Sequence, residues 1–227
     1  MRGLAKLLLG LGLPLLLVVG YVQLVGRPAD EVPDAPSVEA GATGHDLPPD
    51  GNWELVAADS FVGYRIVERD PTRQRPNEAV GRTSAMDGHV TVANGEAVDA
   101  RVEVDLRELD SGRQRRDQAI RQRYLESFDY PTGRFTLSEP FPVADALADD
   151  PQGRTVAGDL QLRDQTVAVE ADVDVGWDGE QVELAGTVPV TLADFGIEPP
   201  RIPGFRFVAD DGDVELHLTF VPGGEPR

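Results

Sequence analysis

From Val98 to Leu106 every even position is apolar and every odd one charged, and Val167 to Val175 alternates almost as strictly. A period of two marks a strand with one dry and one wet face, and it cannot serve a helix, whose faces repeat every 3.6 residues. Thr155–Leu162, Val182–Leu192 and Val214–Phe220 follow the same rule more loosely. Between such runs stand Asp87-Gly88, Asn94-Gly95 and Asp178-Gly179, dipeptides that tolerate the positive φ of tight hairpin turns. Eight to ten strands in about 170 residues point to an all-β domain of consecutive hairpins, either a sandwich or an up-and-down barrel. Alternation does not choose between the two.

One segment breaks the pattern. Asp110 to Phe128 reads as a helix, with Asp110 or Ser111 as its N-cap, Ile120, Tyr124 and Phe128 as its buried stripe, and Tyr130-Pro131 ending it. A lone helix among hairpins is placed to cover an opening of the sheet. It is also unusually basic, with Arg113, Arg115, Arg116, Arg121 and Arg123 and, between Arg113 and Arg123, a single acid, Asp117. Arg113, Arg116 and Asp117 fall beside the expected stripe. They read either as ion pairs with neighbouring acids or as a site for a ligand's head group.

That island stands out because the chain is acidic. Its 227 residues hold 21 Lys and Arg against 40 Asp and Glu, a net charge of −19. Such a polyanion repels phosphate backbones, which excludes a general nucleic-acid partner. Leu7 to Gly26 carries no charge and, as a helix, reaches about 30 Å, enough to span a bilayer. Arg2 and Lys6 precede it, so the basic-inside rule places the remainder outside the cytoplasm. The part after Arg27 holds all 40 acids and 18 basic residues, a net −22. Residues 1–27 are therefore expected to be an anchor, with a cleaved signal peptide as the rival reading. Residues 28–50, with prolines at 28, 33, 36, 48 and 49, have the composition of an extended linker. The sheet domain is expected over 51–222, with a tail over 223–227.

The domain's residues also occur in a familiar order. Trp53, then Asp59-Ser60-x-Val62-x-Tyr64-x-Ile66, Val80-Gly81-Arg82-Thr83, Arg115-Arg116-Asp117, Tyr130-Pro131-x-x-x-Phe135, Val156-x-Gly158-x-Leu160-x-Leu162 and Asp194-Phe195-Gly196-Ile197 resemble the YceI-like family of lipocalin-like, polyisoprenoid-binding proteins. The pairing of Gly63-Tyr64-Arg65 with Gly81-Arg82-Thr83 and Ala193-Asp194-Phe195-Gly196 resembles a branch often found behind an N-terminal anchor. The resemblance implies an eight-stranded antiparallel barrel with one covering α-helix, here preceded by the transmembrane helix, and an apolar cavity for a polyprenyl lipid or isoprenoid quinone. Two positions depart from the family pattern. Asp59 stands where many members have His, and Thr191-Leu192 where they have Asn-Arg.

A dry lining for such a ligand would come from the inward set Val62, Tyr64, Ile66, Val102, Val104, Leu106, Phe135, Leu160, Leu162, Val173, Val175, Val188 and Val190. The same residues would equally make a filled barrel core. Tyr64 needs a partner for its hydroxyl if buried, and Trp53 and Trp177 suit either barrel ends or exposed rims. No catalytic constellation emerges. His45, His89 and His217 lack metal-ligand spacing, cysteine is absent, and there is no Gly-x-Ser-x-Gly elbow, P-loop or dinucleotide fingerprint. The expectation is a non-enzymatic binding protein with no cofactor or metal, whose partners are an apolar isoprenoid ligand and, through residues 7–26, a membrane. A packed, ligand-free interaction domain of the cell envelope is the alternative.

Overall fold

The alternating runs form ten substantial strands: β1 (Gly51–Leu55), β2 (Phe61–Arg69), β3 (Asn77–Thr83), β4 (Met86–Ala93), β5 (Glu96–Asp105), β6 (Thr132–Leu137), β7 (Thr155–Leu162), β8 (Gln165–Trp177), β9 (Val182–Thr191) and β10 (Arg206–Pro222). The computed structural model describes residues 32–38, 41–42, 47–69, 77–147, 155–199, 201–202 and 206–223. Eight strands close into an antiparallel ring in the order β1-β4-β5-β6-β7-β8-β9-β10 and back to β1. The ring settles the choice between sandwich and barrel, since closure leaves no edge within it.

Closure depends on β10 being 17 residues long. One of its edges pairs with β9; the other pairs first with β2 and then, at Phe220–Pro222, with β1. The β2–β3 hairpin therefore stands beside the ring, and the free edge of β3 carries a single bridge, Arg82 to Asp110. The segment after Asp110 covers that side.

Asn94 and Gly95, with φ of 55° and 77°, make the β4–β5 hairpin turn as expected. Asp178 turns the β8–β9 connection by accepting the backbone N–H groups of Glu180 and Gln181. Asp87-Gly88 is not a turn: both residues lie within β4, where Gly88 faces Val102. The pairing of β4 with β5 slips between Thr91 and Val92, so Ala97 is buried and Val98 is 44% exposed. A bulge adds one residue and reverses the faces beyond it, which the regular alternation of Val98–Leu106 concealed.

The covering helix is shorter than expected. Gly112 adopts φ 69°, α1 spans Gln114–Ala119, and a π-helical turn, Ile120–Tyr124, comes next. The expected cap residues lie outside it: Arg113 is the N-cap, while Asp117 reaches back to accept both the backbone N–H (3.0 Å) and the hydroxyl (2.5 Å) of Ser111. Leu125 N–H donates to the Ile120 carbonyl, a five-residue step that widens the turn and rotates the residues beyond Leu125 about the helix axis. The line Ile120, Tyr124, Phe128 is thereby broken. Tyr124 and Leu125 pack on Leu160, Phe195 and Ile197, whereas Phe128 is 68% exposed.

Part of the Pro-rich stretch lies on the barrel. Arg82 Nη2 donates to the Asp34 carbonyl (2.8 Å), and Pro36 borders an open groove of about 450 Å³ with Asp172, Asp174 and Thr187 on β8 and β9. Gly41–Ala42 pairs in parallel with Gly176–Trp177, where β8 has run past its β7 partner. No helix among the described residues is long and apolar enough to cross a membrane. The span expected at 7–26 lies outside the described residues.

Candidate functional site

Residues directly opposite in antiparallel pairing share a face, so the ladder register sorts inward from outward around the ring. Val62 faces Leu216, which faces Gly186, which faces Val173; Tyr64 faces Val214, which faces Val188. Val102 faces Phe135, which faces Leu160, which faces Val167. The twelve strand residues expected to line a cavity thus share the inner face. Leu106, the thirteenth, lies just beyond β5 in a 3₁₀ turn, buried against the Gly133 backbone.

Their burial is not uniform. Val102, Val104, Leu106, Leu160, Val173, Val175 and Val188 are buried, whereas Val62, Tyr64, Ile66, Phe135, Leu162 and Val190 keep accessible surface although they face inward. One end of the barrel is packed solid, with Trp53 and Trp177 edge-to-face at 5.7 Å and only 2% and 7% exposed. The other end is closed by Leu160, Phe195 and Ile197, against which Tyr124, Leu125 and Leu192 pack. Val169, Val190 and Val214 touch both clusters and are fully buried by neither. An apolar band of partly buried residues therefore lies between two packed ends.

Two aromatic rings in this band lie against the wall, each over a glycine of the neighbouring strand. The Tyr64 ring covers Gly81, where a Cβ would stand 2.5 Å from its Cε1, and the Phe135 ring covers Gly158, where a Cβ would stand 2.2 Å from its Cζ. Glycine at both seats lets the large rings lie against the sheet.

Tyr64 points toward the covering segment, beside Ser111, Arg116, Asp117 and Glu68. Its hydroxyl is buried without a hydrogen bond, although Ser111, whose own hydroxyl donates to Asp117, stands beside it. The partner expected for it is missing. Burial, only partly offset by Arg116 and Ser111 and reinforced by Asp117 and Glu68, leaves the phenol's pKa pushed up to about 12. It is therefore a neutral donor at physiological pH.

The three head-group candidates are brought to the same place. Arg116 pairs with Glu68 (Nη2 to Oε2, 3.4 Å), Asp117 is 5% exposed and bonded to Ser111, and Arg113 occupies the N-cap with interactions of its own. Arg116 and Asp117 thus already have protein partners. The arginines left exposed are Arg115 and Arg123.

Sequence reasoning missed the outer face of the same strands. Glu215 sits at an outward position of β10 yet is fully buried, held by Arg65 (3.0 Å) and Arg82 (2.6 Å). Arg65 also bonds Glu78 (2.7 Å), while Arg82 stacks on Phe61 (4.2 Å) and Phe61 on His217. Burial opposes charge on Arg65, but Glu78 and Glu215 outweigh it and hold the guanidinium protonated. A Cβ on Gly63 would stand 2.8 Å from Arg82 Cγ, so only glycine lets Arg82 cross to Glu215. The signal was the charged set Arg65, Arg82 and Glu215 on three neighbouring strands, visible only once the strands are paired. Among the described residues no group of three or more His, Asp or Glu side chains could hold a metal ion.

The geometry fits what the chain is similar to. At 34% identity over 151 residues, it matches UPF0312 proteins of Vibrio cholerae, the alignment covering 62% of this chain and 73% of theirs. A polyisoprenoid binding domain from Saccharophagus degradans superposes with a TM-score of 0.58 at 18% identity, over 75% of this chain and 98% of that one. Burkholderia cenocepacia BcnA superposes with 0.57 at 18%, over 73% and 98%. Residues 53–220 match the model of the YceI-like domain, so the chain belongs to the YceI-like family.

Proposed function

We propose that this is a membrane-tethered, extracytoplasmic binding protein, without catalytic activity, that holds a polyisoprenoid lipid or isoprenoid quinone inside the barrel. The observation that carries the reading is the inner band in which Val62, Tyr64, Ile66, Phe135, Leu162 and Val190 remain partly accessible between two packed ends. A prenyl chain that buries on the order of 400 Å² there gains roughly 10 kcal/mol. Association and ordering take back part of that sum. The polyisoprenoid-binding neighbour with the same fold supports the ligand class. The charge-free stretch at 7–26 supports the tether. Tyr64 and Arg116 offer the polar end of the site, a neutral donor and a cation, for a quinone carbonyl or another acceptor head group.

The test is direct. The full chain, purified from membranes, is extracted with organic solvent and the extract is read by mass spectrometry. A prenyl lipid or quinone in near-equimolar amount is the expected result. An empty extract, together with no uptake of added polyprenyl lipid or quinone, overturns the reading in favour of a packed, ligand-free barrel.

A further inference from the structure

The covering segment holds more positive charge than the barrel uses. Arg116 is engaged by Glu68, and Arg121 donates to the carbonyls of Arg107 (3.1 Å) and Leu109 (3.0 Å). Arg113 has interactions of its own. Arg115 and Arg123 are exposed and form no ion pair among the described residues. Beyond them Phe128 is 68% exposed, by far the most open large apolar side chain among the described residues.

The phenylalanine is not on a loose loop. Ser127 N–H donates to the Arg121 carbonyl (2.8 Å) and Tyr130 N–H to the Glu126 carbonyl (2.9 Å), which fixes the backbone of Phe128 beside the end of the π-helical turn. Arg163 braces the same turn, with Nη2 on Glu126 (2.9 Å), Nη1 on the Gly196 carbonyl (2.7 Å) and its guanidinium 5.8 Å from the Tyr130 ring centre. A rigidly presented aromatic on the same segment as two exposed arginines that form no ion pair among the described residues, in a chain that is otherwise strongly acidic, matches the chemistry of an anionic lipid surface.

Chain length adds an independent argument. The Asp34 carbonyl is held by Arg82, whose backbone is bridged to Asp110, four residues before α1. Only residues 27–33 separate Asp34 from the charge-free stretch, and fully extended they reach about 25 Å. Docking of Asp34 on the barrel therefore shortens the usable tether.

We propose that Arg115, Arg123 and Phe128 form a docking edge for an anionic phospholipid bilayer, which presses the covered side of the barrel against the membrane. The orientation, though not the edge's chemistry, rests on the tethered reading above. It places the site where an isoprenoid would be exchanged with the lipid phase.

The experiment uses the full chain carrying Phe128→Trp, whose emission is separable because Trp53 and Trp177 are buried. The protein is presented to vesicles of phosphatidylcholine, alone or with about one-third phosphatidylglycerol, with and without brominated acyl chains. The expected result is a blue shift and bromine quenching at position 128 on the anionic vesicles, weakened by salt. Arg115→Gln with Arg123→Gln should lower partitioning roughly 30-fold in a chain truncated before Pro28, because each basic residue near an anionic surface contributes about a factor of five. That truncated chain is used only if its circular dichroism matches the full chain; otherwise the quenching ratio in the full chain is read. Emission at 128 that stays solvent-like and unquenched on anionic vesicles overturns the proposal. Flotation of the full chain reports the tether separately, so an untethered chain whose position 128 still quenches upholds the docking edge alone.

Discussion

Two buried polar groups lie one step apart in the β2–β10 ladder on opposite faces, and they are treated in opposite ways. Glu215, opposite Gly63 on the outer face, has two guanidinium partners. The Tyr64 hydroxyl, opposite Val214 on the inner face, has no hydrogen bond. A buried carboxylate must be paired or the fold cannot carry it, whereas an unpaired phenol costs only about 1–3 kcal/mol and can be tolerated where a site needs a spare donor. The outer cluster therefore builds the wall, and the inner hydroxyl is a gap in the wall's hydrogen bonding. Gly63 and Gly81 make both arrangements possible by seating Arg82 and Tyr64 respectively.

The contrast is most strongly tested at Glu215. Glu215→Ala leaves Arg65 and Arg82 facing each other without their shared anion and should cost about 3–5 kcal/mol in urea or thermal unfolding. A loss below about 1 kcal/mol, the worth of an ordinary surface pair, would show that the outer network is incidental. Gly158→Ala forces the Phe135 ring off the wall and should cost about 1–3 kcal/mol by overpacking. Combining it with Phe135→Leu should recover part of that loss in a double-mutant cycle, the remainder belonging to the Thr136 carbonyl 2.7 Å from the new Cβ, and no recovery would mean that the ring is not what the added methyl meets. Tyr64→Phe should leave stability unchanged or raise it by up to about 1 kcal/mol, because it deletes an unsatisfied group. A clear loss of stability would reveal a partner for the hydroxyl.

The smallest expected effect concerns Asp213, beside the outer cluster. Burial raises its pKa, opposed by Arg65 and reinforced by Glu215 and Glu78. An acid with a raised native pKa binds its proton more tightly folded than unfolded, so its ionisation destabilises the native state at neutral pH and that penalty fades as pH falls through the raised value. Asp213→Asn should therefore raise the melting temperature slightly at pH 7 and lose that advantage in acid. An equal advantage at both pH values would assign the gain to something other than charge.

Much of the barrel was legible because period-two alternation is local. The strands β5, β7, β8, β9 and β10, the turns at Asn94-Gly95 and Asp178-Gly179, and the inward set can be read from residue spacing alone. Two of the misreadings share one cause, a single-residue change of phase. The bulge that exposes Val98 and the π-turn that exposes Phe128 each insert or widen by one residue, and no local composition signals that.

By itself the sequence determined the class of fold, its acidic exterior, the basic island and the family to which the motifs belong. Tertiary structure decided closure, which rests on β10 being long enough to serve β9 on one edge and both β2 and β1 on the other. It also decided which charges are paired: Glu215 looks like any outward acid until β2 and β3 bring Arg65 and Arg82 over it. The reason is physical. Alternation depends on neighbours along the chain, while pairing and burial depend on neighbours across it, 133 residues away for Arg82 and Glu215.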